Sequence, residues 1–268
     1  MQQKVVLITG ASSGIGRALA FAFGRDGASV VICARKIDAL ETVSHELQQA
    51  GINNLALAAD VSVESDVRTL IEQTIAHFGR LDILINNAGV SMRSLVADTE
   101  PAVFRKLMDI NYMGTVNATH YALPHVLKTK GSIVGISSIA GYRGLPVRAG
   151  YSASKFAMNG FLEALRTELL HSGVHVLTAC PGFTASNIRV AALEANGQPA
   201  GETMRDEESM MTAEECAQHI LKAVKKRKRE LILTAQGKLT VILNKLFPSL
   251  TDRLVYTTLA KEKNSPLK

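Results

Sequence analysis

The chain of 268 residues is 47% hydrophobic and 20% charged, which fits one large α/β domain with a well-buried core and leaves two full domains cramped. Its three cysteines, Cys33, Cys180 and Cys216, are far apart and odd in number, with no CxxC pair; this argues against a disulfide framework or a cysteine metal site and for a reducing, cytoplasmic setting. The net charge of +6 is uneven, since residues 219–268 hold twelve Lys/Arg and three Asp/Glu, a balance of +9 against −3 for the rest, so the basic character belongs to the tail.

The first strand is expected from about Lys4, which leaves no room for a secretory leader, and no apolar run approaches the ~18 residues of a membrane span. Val5 to Thr9 is a continuous apolar run of the buried-strand kind, followed by Gly10-Ala11-Ser12-Ser13-Gly14-Ile15-Gly16 and an amphipathic helix to about Asp26. Glycines allow a tight turn and close backbone approach to a diphosphate, and a helix N-terminus favours the anion. The spacing is G-x-x-x-G-x-G, so the loop is expected to be longer than that of the common G-x-G-x-x-G fingerprint.

The second strand, Ser29 to Cys33, ends in Ala34-Arg35-Lys36 with no carboxylate before Asp38. A carboxylate at this strand end suits the ribose of NAD, whereas an Arg accommodates a 2′-phosphate, so Arg35, helped by Ser12 and Ser13, points to NADP(H). A helix over about 37–50 and a third strand, Asn54 to Ala59, lead to Asp60-Val61. Asp60 is placed either to accept from an adenine amino group or to cap the helix that runs to Phe78. The fourth strand, Asp82 to Ile85, leads into Asn86-Asn87-Ala88-Gly89, small and amide residues suited to lie under a cofactor. Strand–helix units of this kind imply a doubly wound parallel sheet.

A long helix is expected from Pro101 to Lys128, and Asn111 inside it, a poor helix-interior residue, suggests a specific use or a local kink. Ile133 to Ile136 reads as another buried strand, with Ser138 at its carboxyl edge. Tyr151 and Lys155, four apart on a helix, share one face, which brings an ammonium near a phenol and favours its ionised form. Val174 to Ala179 and Leu231 to Leu233 complete seven strands.

Together the markers Thr9-Gly10-x-x-x-Gly14-Ile15-Gly16, Asn86-Asn87-Ala88-Gly89, Asn111, Ser138, Tyr151-x-x-x-Lys155 and Pro181-Gly182 resemble the short-chain dehydrogenase/reductase family, in its single-domain branch. The resemblance implies a Rossmann-like fold and a reversible reduction of a ketone or aldehyde with Tyr151 as general acid/base. It further implies Ser138 on the substrate oxygen, Lys155 lowering the phenol pKa and holding the nicotinamide ribose, and Asn111 positioning a relay water. Ile15, Asn86 and Ala88 would line the cofactor's path, and Pro181, Gly182 and Thr184 its nicotinamide side. Ser186 stands where the family often has Thr. The alternative class is a catalytically idle NADP(H)-binding regulator, which would normally show a broken tetrad.

Residues 187–212 lack steady periodicity and are expected to form a mobile substrate lid. A moderately hydrophobic carbonyl compound fits the neighbouring segments, with Arg93, Arg143 or Arg148 as alternative receivers of an anionic substrate. The run Lys225 to Arg229 reads as a solvated helix end rather than a nucleic-acid patch. Beyond it, over 234–268, Leu239, Ile242, Leu243, Leu246, Phe247, Leu250 and Leu254 recur at helical spacing, divided by Pro248. This stripe is expected to be packed or to join subunits of a homo-oligomer, with a membrane surface as the alternative.

Overall fold

The computed structural model describes residues 1–182, 184, 188–201, 210–262 and 265–267. The expected apolar runs form β1 (Val5–Thr9), β2 (Ser29–Ala34), β3 (Asn54–Ala58), β4 (Ile83–Asn86), β5 (Ser132–Ile136), β6 (His175–Cys180) and β7 (Glu230–Ile232). All pair in parallel, in the order β3-β2-β1-β4-β5-β6-β7.

Residues alternate across each strand, so β1 sends Val6 and Ile8 to one face and Val5 and Leu7 to the other. The first face is covered by α1 (Gly14–Arg25), α2 (Ile37–Gln49) and α7 (Ala213–Lys225) through Leu19, Phe23, Leu40, Leu47 and Ile220. The second is covered by α3 (Glu64–Phe78), α5 (Gly114–Thr129) and α6 (Ala149–Glu168) through Val67, Leu70, Ala118, Met158 and Leu162. Strand order reverses between β1 and β4, which opens a crevice at their carboxyl ends.

Strand β4 starts one residue later than expected because Asp82 is used as an anchor: its buried carboxylate accepts from the Val5 amide at 2.9 Å and pairs with Arg80 at 2.7 Å. The single helix expected over 101–128 is two, α4 (Pro101–Met108) and α5, joined by a π-helical turn at Asp109–Met113 that contains Asn111. The widened turn redirects hydrogen bonds, and the Thr115 hydroxyl donates to the Asn111 carbonyl at 2.9 Å.

Pro248 divides the tail as expected, into α8 (Ala235–Leu246) and α9 (Pro248–Ala260). Their apolar stripe is not packed against the chain, which corrects the first form of that expectation. Among its members, Leu239, Ile242, Leu246, Phe247, Leu250 and Leu254 are exposed. The helices are held to the body by other contacts: Arg143 bonds Asn244 at 2.9 Å and pairs with Asp252, while Asn244 donates to the Tyr142 carbonyl.

Candidate active site

A cleft of about 530 Å³ opens above the carboxyl ends of the central strands. One wall is the glycine loop. Gly10 adopts φ +66°, and a Cβ there would lie 2.8 Å from the Ala88 Cα, so the loop rides directly on the end of β4. Thr9 joins the two: its buried hydroxyl accepts from the amides of Asn87 and Ala88, each at 3.0 Å, while Asn87 Nδ2 donates to the carbonyls of Thr9 and Gly10. Thr9→Val keeps the shape but takes the acceptor from two half-buried N–H groups, those of Asn87 and Ala88. It is expected to destabilise the protein by about 1–3 kcal/mol, read as a lowered urea midpoint with unchanged slope.

Ser13 is the N-cap of α1 but makes no side-chain capping bond, and the first turn carries no acidic residue. Gly10, Ser12, Ser13, Gly14, Ile15 and Gly16 all line the cleft, as do Arg35, Asp60 and Val61. Lys36 lines it beside Arg35, and both side chains are exposed. Asp60 uses one carboxylate oxygen on the amide and hydroxyl of Ser62, at 2.9 and 2.6 Å. These bonds close a local turn before α3, whose N-cap is Val63 with no side-chain cap, so Asp60 does not cap that helix; it lines the cleft.

The opposite end of the cleft is built by β5, α6 and the segment after β6. Ser138 follows β5, and its Oγ accepts from the Ala140 amide at 3.2 Å, capping a short 3₁₀ turn. Asn159 of α6 accepts from Ser137 and donates to the Gly141 carbonyl, clamping that turn to the helix. Tyr151 and Lys155 stand one helical turn apart on α6, both buried, with Nζ 5.9 Å from the phenol ring centroid. Ser138, Tyr151, Lys155, Ala88, Pro181, Gly182 and Thr184 line the cleft. Ser186 lies outside the described residues.

Burial pushes the Tyr151 phenol above its ordinary range, and the Ser138 hydroxyl bond and the Arg148 charge pull it back. The expected tuning by Lys155 is not the leading influence, because the ammonium is itself desolvated and donates to the Ile136 carbonyl at 2.8 Å. Burial draws its pKa down to about 8. An ammonium that remains near 10.5 in the unfolded chain therefore opposes folding at neutral pH, and the opposition fades as pH rises from 8 to 10.5. At ~1.4 kcal/mol per unit the effect is about 3 kcal/mol. Lys155→Met is expected to be the more stable protein at pH 7 in urea unfolding, with an advantage that shrinks towards pH 10.5.

Two residues named from the sequence stand outside the cleft lining. Asn86 is buried with its amide turned to the Thr119 hydroxyl at 3.1 Å, and its neighbour Asn87 takes the place beside the glycine loop. Asn111 is fully buried and clamps Val90, accepting from its amide at 2.8 Å and donating to its carbonyl at 2.9 Å. It also donates to Ser154 Oγ, which bonds the Tyr151 carbonyl. A Cβ placed on Gly89 would lie 3.1 Å from Asn111 Oδ1 and 3.5 Å from Lys155 Nζ, so these polar groups bracket that glycine.

Sequence reading gave no role of their own to Lys36, Asn87 and Arg189, which line the cleft, while Arg148, held open for an anionic substrate, lines it as well. Arg35 and Lys36 both line the cleft, whereas of the adjacent Asn86 and Asn87 only the second does. The described part of the expected lid is stitched down: Leu193 donates to the Ser91 carbonyl at 2.9 Å and accepts from the Arg93 amide at 2.8 Å. Met92, Leu107, Ala140, Tyr151 and Leu193 form one apolar cluster there. Two of the arginines held open for an anionic substrate meet one tail carboxylate, Glu262, at 3.4 Å from Arg148 and 4.0 Å from Arg93. The third, Arg143, meets Asp252. Their charges are answered from within the chain.

A family model described as short chain dehydrogenase matches residues 4–197. Mouse dehydrogenase/reductase SDR family member 7B is 35% identical over 99% of this chain and 84% of its own length. Human member 7 is 37% identical over 90% and 73%. A crystal structure of a short chain dehydrogenase/reductase from Burkholderia phymatum in complex with NAD superposes with TM-score 0.84 at 24% identity, covering 93% of this chain and 95% of that one. An alcohol dehydrogenase from Thermococcus sibiricus complexed with 5-hydroxy-NADP superposes with TM-score 0.73 at 26% identity, covering 86% and 95%.

Proposed function

The chain belongs to the short-chain dehydrogenase/reductase family of oxidoreductases, and from that premise we propose that it interconverts a carbonyl compound and its secondary or primary alcohol with NADP(H), Tyr151 acting as general acid/base. The observation that carries the reading is the hydroxyl pair of Tyr151 and Ser138 at one end of a cleft whose other end is the glycine loop. A bound nicotinamide supplies or accepts the hydride.

In the reductive direction, Ser138 orients the substrate oxygen and Tyr151 hands its proton to that oxygen as negative charge develops there. The donors are fixed before the reaction, Ser138 by its 3₁₀ turn and Tyr151 by the helix that Asn111 and Ser154 secure. Lys155, with a pKa of about 8, retains most of its charge at neutral pH one turn from the phenol and favours the phenolate that remains. The apolar cluster of Met92, Leu107 and Leu193 excludes water and suits a moderately hydrophobic substrate.

The fit of a phosphorylated dinucleotide rests on the uncapped start of α1 for the diphosphate and on Arg35 and Lys36 beside Ser12 and Ser13 for a 2′-phosphate. The two structural neighbours carry one cofactor of each kind, so the choice of NADP(H) rests on these residues. A panel of ketones and aldehydes followed by NADPH absorbance, with NADH in parallel, tests the proposal. Turnover with NADPH is expected for apolar members, and nucleotide binding without turnover of any carbonyl would favour the idle regulator instead.

A further inference from the structure

The tail helices carry a surface that the reaction does not use. Leu239, Ile242, Leu246, Phe247, Leu250 and Leu254 are between 46% and 65% exposed, and they stand together on two consecutive helices, where exposed apolar residues such as Val96 and Leu170 are scattered singly. At 100° per residue, Leu239, Ile242 and Leu246 fall within ~60° of arc on α8, with Lys238 and Lys245 along one border. Val241 and Gly237 are buried on the opposite side, which fixes that arc as outward. On α9, Leu250 and Leu254 share a face bordered by Arg253, with Thr251 and Leu259 turned inward. Phe247 carries the apolar surface through the turn between the helices.

Charge selects the occupant. Residues 234–268 contain six Lys/Arg and two Asp/Glu, and both acids pair with arginines of the catalytic body, Asp252 with Arg143 and Glu262 with Arg148. The cations bordering the apolar arcs are thereby left dominant. A second copy would bring the same cationic borders and offer no excess of acids to answer them, whereas an anionic lipid surface accepts apolar side chains below a belt of cations. Among the described residues no helix is long and apolar enough to cross a membrane, so the contact is one of surface, not of span.

We infer that α8 and α9 dock this protein on the surface of a bilayer containing anionic lipid. The full-length protein is sedimented with phosphatidylcholine vesicles and with vesicles containing phosphatidylserine, at low and high salt. Binding is expected to the anionic vesicles and to weaken with salt. The L246E/L250E variant is expected to bind at least tenfold more weakly, and K238E/K245E/R253E to lose the preference for phosphatidylserine. Unchanged urea midpoints and nucleotide affinity show that both variants are folded. Failure of the unaltered protein to bind anionic vesicles overturns the inference, as does full binding by folded L246E/L250E. A dimer in solution that L246E/L250E dissociates would assign the face to a second copy and overturn it too.

Discussion

Tyr151→Phe is expected to lower kcat by about 10²–10⁴-fold, the range a positioned proton donor contributes, while nucleotide affinity stays within about twofold. The substitution removes one oxygen and keeps the ring that packs with Met92, Leu107 and Leu193. Ser138, whose hydroxyl pulls the phenol's pKa down, keeps its bond from the Ala140 amide. The site therefore loses its proton donor with its geometry kept. Initial rates by NADPH absorbance, with nucleotide fluorescence titration and an unfolding midpoint on the same sample, make the check. A variant that retains more than a tenth of the rate, on a substrate whose chemistry limits turnover, would take the acid/base role away from Tyr151.

The second large effect concerns cofactor choice. Arg35 and Lys36 lie at the end of β2, exposed beside Ser12 and Ser13 on the cleft rim. Hydrogen bonds from charged donors to an anion are each worth about 1.5–3 kcal/mol, and Arg adds a planar fork that fits phosphate. The double variant R35S/K36S is expected to reduce the kcat/KM ratio of NADPH over NADH by about 10²-fold. Nearly all of the change should fall on NADPH, because NADH offers no 2′-phosphate to lose. An equal fall with both cofactors would show instead that the two cations support the loop.

What the sequence disclosed was what local pattern carries. A strand covered on both faces is written as an apolar run, so Val5–Thr9 and Ile133–Ile136 were plain, and the glycine loop announced itself by its spacing. Residues 151 and 155 share a face on any α-helix, which is why Tyr151 and Lys155 were readable before a coordinate was known. The Asn111 anomaly was readable as an anomaly only. That it marks a π-turn clamping Val90 depends on a partner twenty-one residues away.

Other features were hidden because they are made by distance in the chain. Asp252 meets Arg143 and Glu262 meets Arg148 across more than a hundred residues, and no periodicity encodes such pairs. The same holds for the pairing of Leu193 with Ser91 and Arg93, which turns a stretch without pattern into a roof. Tyr151 showed a further limit: its neighbour Lys155 was visible in the sequence, but the desolvation that outweighs that neighbour comes from the assembled fold.

The Glu262–Arg148 contact also ties enzymology to the integrity of the last few residues. Glu262 is buried beside Arg148, so Glu262→Gln would take one carboxylate away from the arginine whose charge acts on Tyr151. Taking a negative charge from that neighbourhood favours the phenolate, and the alkaline edge of the rate profile would move towards lower pH without any group of the cleft being altered. The variant and the unaltered protein would be one fold with two acidities.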